Sequence, residues 1–315
     1  MRGTRIAENI GSPAVYSRDG KSLAALVVDI KSGQATTIKV FDVATAKEKI
    51  LIPITGKNVA LGYIAFSPDG SLLAMSGRSF DDSPLIWESV ERSREFGTGP
   101  GRLKVWEVKT GTLKHDLVGH SHANAVSFSP DGNLLASAGR WSDASKSGTG
   151  VILWNAQTGT KIRTVSTEAN GGTHAAAFSP NSKRVMIGSR TFDKDNDTST
   201  TAITLTHALT GVVEWRQTVP GWAKPVAFLP DGRSVAVLCG GQSIRLVDAE
   251  TGTGKHEIRS ADSSQAGRWN DVAVAPRAHL LVIGGVDNQR KGSVELWIYA
   301  LMTPRREGGG TADGS

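Results

Sequence analysis

The 315-residue chain has one cysteine, Cys239, so it can form no intrachain disulfide and no multi-cysteine zinc site. Cys239 ends the apolar run Ser234–Cys239 and reads as a small core side chain. No apolar run approaches the roughly 18 residues of a membrane span, so none is expected. Met1–Ile10 has no apolar stretch of the kind a secretory signal needs, and none is expected. Charge of one sign is also lacking. The 36 Lys and Arg are interspersed with 30 Asp and Glu, for a net charge of +6. That balance favours solubility and mildly favours acidic partners, but it does not mark a nucleic-acid binder.

Catalytic signatures are missing too. There is no Gly-x-Ser-x-Gly elbow, Walker loop or dinucleotide fingerprint. The acidic stretch Asp193-Lys194-Asp195-Asn196-Asp197 fails as a calcium loop: Thr198 and Thr204 stand where an EF-hand has Gly and Glu. His115, His120, His122 and His174 lie in strand-like runs without the helical spacing of a zinc pair. No metal, cofactor or catalytic residue is expected.

What the chain does have is a repeat. A turn recurs as Ser17-Arg18-Asp19-Gly20, Ser67-Pro68-Asp69-Gly70, Ser129-Pro130-Asp131-Gly132, Ser179-Pro180-Asn181-Ser182 and Leu229-Pro230-Asp231-Gly232. A decayed copy is Ala275-Pro276-Arg277-Ala278. Proline presets φ, and Asp-Gly adds a side-chain acceptor and a residue free to take positive φ. Short apolar runs flank each turn, as in Ala125–Phe128 and Leu134–Ala138, and read as strands. A third run follows, then a second turn (Thr110-Gly111, Thr158-Gly159, Thr210-Gly211, Thr251-Gly252), then a fourth strand such as Leu113–Leu117.

The unit is thus four antiparallel strands, found six times. One such sheet cannot bury both its faces, but sheets stacked around an axis cover one another, which is the propeller solution. The expected fold is an all-β propeller of six four-stranded antiparallel blades, with seven as the alternative, filling residues 1–302 as one domain. Residues 303–315 read as a disordered tail or linker. The sixth unit has three strands of its own, and Thr4–Glu8 is expected to supply the fourth and close the ring.

Phe128-Ser129-Pro130-Asp131-Gly132, Leu134-Leu135-Ala136-Ser137 and Val151-Ile152-Leu153-Trp154-Asn155, with Gly119-His120 ahead of them, resemble a WD repeat. Phe66–Gly70, Leu72–Gly77 and Leu103–Glu107 do so as well, and the likeness runs from Pro13 to Ala300. No unit has Trp-Asp at the end of its third strand; the pairs include Phe41-Asp42, Trp106-Glu107, Trp154-Asn155, Thr206-His207 and Val247-Asp248. The buried His–Ser–Trp relay that the resemblance implies is possible in unit three alone, as His120, Ser137 and Trp154. The Ser-Pro-Asp-Gly turns also resemble, less closely, six-bladed TolB-type propellers.

Both short turns of each unit fall on one edge of the ring. Length variation falls on the other, which the family calls the top face: Ser79–Arg102, Trp141–Gly150 and Thr191–Thr201 are long, whereas Gly240–Ser243 is short. Binding residues concentrate on such loops. Arg78-Ser79-Phe80-Asp81, Arg140-Trp141-Ser142-Asp143 and Arg190-Thr191-Phe192-Asp193 repeat there. Either these Arg and Asp pair locally, or Arg78, Phe80, Arg140, Trp141, Arg190 and Phe192 face a partner. A second candidate set surrounds the channel mouth: His122, Asn124, His174, Trp222, Lys224, Trp269 and Asn270. It reads either as the wet rim of any propeller or as a peptide pocket.

The expected function is a noncatalytic, cytoplasmic interaction scaffold for protein or peptide partners, a monomer or part of a larger multidomain chain. The alternatives are a propeller enzyme of hydrolase or lyase type with a channel-mouth site, and a ring that only positions neighbouring domains.

Overall fold

The computed structural model describes residues 10–28, 35–54, 59–60, 63–79, 101–142, 147–193, 195–240, 243–259, 268–274, 280–286 and 292–298. All regular structure within them is β. Unit one is a four-stranded sheet of β1 (Ile10–Tyr16), β2 (Ser22–Val28), β3 (Ala35–Asp42) and β4 (Glu48–Pro53), in that order. Unit two begins with β5 (Val59–Ala60), β6 (Ile64–Phe66), β7 (Leu72–Ser79) and β8 (Gly101–Glu107). Then come β9 (Leu113–Phe128), β10 (Leu134–Ser142), β11 (Ser147–Asn155) and β12 (Lys161–Thr167). Unit four is β13 (Gly172–Phe178), β14 (Arg184–Asp193), β15 (Thr198–His207) and β16 (Val213–Pro220). Unit five is β17 (Ala223–Phe228), β18 (Ser234–Cys239), β19 (Ser243–Asp248) and β20 (Gly254–Arg259). Last come β21 (Arg268–Val274), β22 (Leu280–Val286) and β23 (Gly292–Ile298). Pairing between consecutive strands of each unit is antiparallel.

One element departs from the expected repeat. The outer strand of unit two and the inner strand of unit three are a single 16-residue strand, β9. Its first half pairs with β8 and its second with β10, so the two units form one eight-stranded sheet. Pairing never lapses between the halves, because His120 lies opposite both Gly101 and Trp141. The closing strand expected at Thr4–Glu8 and the tail at 303–315 lie outside the described residues.

Alternation along each strand explains why the runs are apolar throughout. Leu73 and Met75 pack into a cluster with Leu26, Ile38 and Val40 of unit one. Their neighbours Leu72 and Ala74 pack with Leu135, Ile152 and Trp154 of unit three. Ala136 and Leu153 then meet Val185 and Ile187, and Met186 and Leu205 meet Val235 and Val237. Successive side chains point to opposite faces, and both faces are covered by a neighbouring unit.

The turn edge is saturated with hydrogen bonds. Ser17, Ser67 and Ser129 each donate to the Asp two residues on, at 2.6, 2.5 and 2.5 Å. Each hydroxyl also accepts the main-chain N–H five residues on, from Ser22, Leu72 and Leu134. Ser182 replaces the turn glycine of unit four at φ 62°, and its hydroxyl accepts the Asp131 N–H of unit three at 3.0 Å. The residue standing for the Asp of Trp-Asp accepts from the outer turn by whatever atom it has. Asp42, Asn155 and Asp248 take the main-chain N–H three residues on through Oδ1. His207 takes that of Thr210 through Nδ1, at 3.3 Å.

Neighbouring units also interlock at these outer turns. Gly111, Gly159, Gly211 and Gly252 all have φ near +70°, and each lies against an outer-strand side chain of the unit before: Ile50, His115, Arg163 and Trp215. Arg163 Nε donates to Leu209 O at 3.0 Å, and Trp215 Nε1 to Ala249 O at 3.0 Å. Unit one places Ala46 in this turn at φ 56°. A Cβ in the left-handed region costs about 1–2 kcal/mol, and glycine's extra freedom when unfolded offsets part of that. Ala46→Gly is therefore expected to stabilise the protein by up to about 1 kcal/mol. The measurement is the urea midpoint, which should rise with an unchanged m-value.

Candidate functional site

The relay forms where the sequence allows it. His120, Ser137 and Trp154 are all buried. Ser137 Oγ is 2.7 Å from His120 Nε2 and 2.8 Å from Trp154 Nε1, and His120 Nδ1 is 3.1 Å from Arg140 O. A carbonyl only accepts, so Nδ1 carries the proton. Trp154 then donates to Ser137, Ser137 to His120 Nε2, and His120 Nδ1 to Arg140 O. Burial pushes the His120 pKa down to about 4, so the ring is neutral at pH 7. The relay pins the base of β10 below its loop, where Arg140 and Trp141 stand.

On the loop edge Arg140 Nη2 donates to Asn170 O at 2.8 Å, reaching from unit three to the strand connection that leads into unit four. Asn170 in turn accepts from Phe192 N at 2.7 Å and donates to Phe192 O at 2.9 Å. Its side-chain amide thus pairs with a main-chain residue as a strand partner would. Trp141 is half-buried: it packs on the cluster between units two and three, crosses Gly148, and donates from Nε1 to Thr149 O at 3.3 Å. Arg190 Nη2 donates to Ser199 Oγ at 2.9 Å, and the guanidinium carbon stands 4.4 Å from the centre of the Phe192 ring. Phe192 remains 43% exposed. Phe80 lies outside the described residues, as does the side chain of Arg78.

Five of the seven candidate channel-mouth residues have described side chains: His122, Asn124, His174, Trp222 and Lys224. His122 is buried within the sheet. Asn124 Nδ2 donates to Thr173 O at 3.0 Å across the seam between units three and four, and His174 Nε2 lies 3.2 Å from Gly171 O at the start of unit four. Trp222 is half-buried and its carbonyl accepts the Gly240 N–H at 2.7 Å. Of the described members of the set, Lys224 alone lines the axial cavity of about 400 Å³, with its Nζ 4.9 Å from the Tyr63 ring centre. The rest of that wall is largely apolar, including Ala14, Ala125, Ala175, Ala177, Ala227 and Phe228. The side chains of Trp269 and Asn270 are outside the described residues. Among the described residues, no three His, Cys, Asp or Glu side chains stand together as a metal site would require.

Sequence reasoning missed Asn170, the residue on which the seam turns. Its one signal is the triplet Asn170-Gly171-Gly172, a loop signature.

Comparison with solved structures shows the fold. A chain of the mitotic checkpoint complex superposes with TM-score 0.63 at 13% identity, covering 91% of this chain and 73% of that one. Hydrazine synthase from Kuenenia stuttgartiensis gives TM-score 0.61 at 15% identity, over 90% and 80%. The protein is an all-β propeller. One segment matches a known repeat: the family described as WD domain, G-beta repeat matches residues 111–146, which contain His120 and Ser137. The small ribosomal subunit protein RACK1 of Neurospora crassa is 41% identical over 80 residues, which is 25% of this chain and 22% of that protein. A probable cytosolic iron-sulfur protein assembly protein 1 of Malassezia globosa is 39% identical over 107 residues, or 33% and 25%. The matches thus span a quarter or less of each of these two relatives.

Proposed function

We propose that this chain is a noncatalytic interaction module whose loop edge, at the seam of units three and four, docks a segment of a protein partner. The observation that carries this reading is Phe192. A large aromatic ring is 43% exposed on a braced hairpin tip, with an arginine stacked on it, while the opposite edge spends its polar groups on its own turns. Aromatic and arginine side chains on a rigid support are the usual anchors of protein interfaces. Two relatives whose names place them in a ribosomal subunit and an assembly pathway support an interaction role. The cytosolic name of the second supports a cytoplasmic location. No helix among the described residues is long and apolar enough to cross a membrane.

A photo-crosslinking amino acid placed at position 192, and separately at Thr112 on the turn edge, tests this in cells. Expected is a discrete partner adduct from position 192 that is missing from Thr112. Identical products at both positions, or none at 192, would overturn the assignment.

A further inference from the structure

We infer that the tip of unit four is a socket for a single carboxylate, carried on a protein segment in which basic residues flank the acidic one. This rests on the loop-edge reading and specifies its partner.

β14 and β15 pair without a register shift from Arg184 to Asp193. Met186 belongs to the cluster shared with unit five, and Arg190 and Phe192 lie four and six residues further along the same strand, hence on the same face. Counted from the turns that begin at Ser179 and Leu229, Cys239 corresponds to Ser189. β18 ends at Cys239, whereas β14 continues four residues past Ser189 to Asp193, about 13 Å of strand. Arg190 and Phe192 therefore stand on the part of the hairpin that rises beyond the end of β18.

The repeat supplies its own control. Arg140 occupies the same position in unit three and spends its guanidinium on the next unit, at Asn170 O. Arg190 makes no such reach. Its Nη2 binds Ser199 within its own unit, its face lies on Phe192, and its Nε is buried without a hydrogen-bond partner. Among the described residues no carboxylate forms an ion pair with it. The guanidinium thus has no ion-pair partner among the described residues, and a carboxylate meeting its Nη end, beside the exposed Phe192 ring, supplies charge-assisted hydrogen bonds there. The exposed Phe192 ring, seated against Gly171, offers apolar surface to the methylenes behind that carboxylate.

The neighbouring acids set the flanks. Asp193 is turned onto its own loop: its carboxylate accepts from Asp195 N, Asn196 N and Asn196 Nδ2 at 3.0, 3.3 and 2.9 Å. The Asn196 side chain and these amides hold its pKa below the ordinary value. Asp195 and Asp197 are exposed at the tip. They repel a run of acidic residues and attract cations placed beside a lone one.

Panning a phage-displayed random peptide library on the full chain tests this. The expected consensus has one Asp or Glu with Lys or Arg within two positions on either side. In a synthetic peptide of that sequence, replacing the acid by its amide should weaken binding at least about tenfold in a fluorescence anisotropy titration. Arg190→Gln should erase that difference while its urea midpoint stays close to wild type. Arg190→Lys, which keeps charge but loses the fork, should retain a reduced difference. Arg216→Gln, on the outer strand, should change nothing. No consensus, a consensus without the acid, or one unchanged on Arg190→Gln would each overturn the socket. Selected peptides that crosslink at position 192 but carry no acid would sink the socket and leave the loop-edge reading standing. Failure of position 192 to crosslink any partner in cells defeats the reading itself.

Discussion

Gly139→Ala is expected to destabilise the protein by about 3 kcal/mol or more, well beyond the effect of an ordinary glycine replacement. Gly139 lies opposite Gly150 on β11, and β9 shifts register beside it. A Cβ built there would sit 1.8 Å from the His122 carbonyl oxygen and 2.8 Å from its carbon. Both are main-chain atoms of a paired strand, so no side-chain rotation relieves the overlap. Either β9 or β10 must move, and together they carry the join between units two and three. Gly254→Ala is the control. Its nearest neighbour is Arg245 Cδ at 3.5 Å, an ordinary contact, and its effect should stay within about 0.5 kcal/mol. Urea unfolding of both variants checks the pair, and equal midpoints would refute the close approach.

Ser137→Ala should cost about 2–4 kcal/mol, since it strips the partner from two buried groups at once, His120 Nε2 and Trp154 Nε1. The relay also predicts an acid limb. Folded His120 titrates near 4, against an ordinary 6.5. Between those values the unfolded chain holds more protons, so stability falls as pH drops through that window, by up to about 3 kcal/mol, and is unaffected above it. The turn carboxylates act elsewhere. The hydroxyls of Ser17 and Ser67 hold Asp19 and Asp69 below their ordinary 3.8, so what they contribute is present above that value and lost only as pH falls through their lowered pKa values. His120→Gln should therefore flatten the pH dependence of the urea midpoint between 6.5 and 4 and leave the limb below it. An unchanged slope in that window would mean that His120 is not the group responsible.

Much of the fold is legible in local sequence. The Ser-Pro-Asp-Gly turns, the Thr-Gly turns and the apolar runs between them each act within about five residues. Their hydrogen bonds fall where the pattern puts them, as Ser129 to Asp131 and Leu134 show. The relay was legible through the WD-repeat resemblance, since each of its side-chain bonds spans 17 residues. Only one unit has the three residue types at the right strands, and His120, Ser137 and Trp154 do meet. The site was much less legible. The triplet of Arg-containing loop starts reads as one repeated device, yet its copies behave differently. Arg140 bonds to the next unit, and Arg190 stacks on Phe192 with its Nε unpaired. Trp141 and Phe192 both look like loop aromatics, but one crosses Gly148 and packs inward while the other stays exposed.

The sequence by itself determined the four-stranded unit, its two turn types, the edge on which loops vary and the unit able to hold the relay. The first three depend on strand alternation and on bonds between residues close in the chain, and the last on which unit carries the His, Ser and Trp that the resemblance calls for. Only the tertiary structure decided that β9 joins two units, that Ile50, His115, Arg163 and Trp215 lock onto the turn glycines of the next, and that Asn170 forms the seam. Those outcomes depend on the height and packing of an adjacent sheet, which no residue encodes on its own. The same holds for Arg190: the missing reach to the next unit distinguishes it from Arg140, and that is a property of two neighbouring sheets taken together.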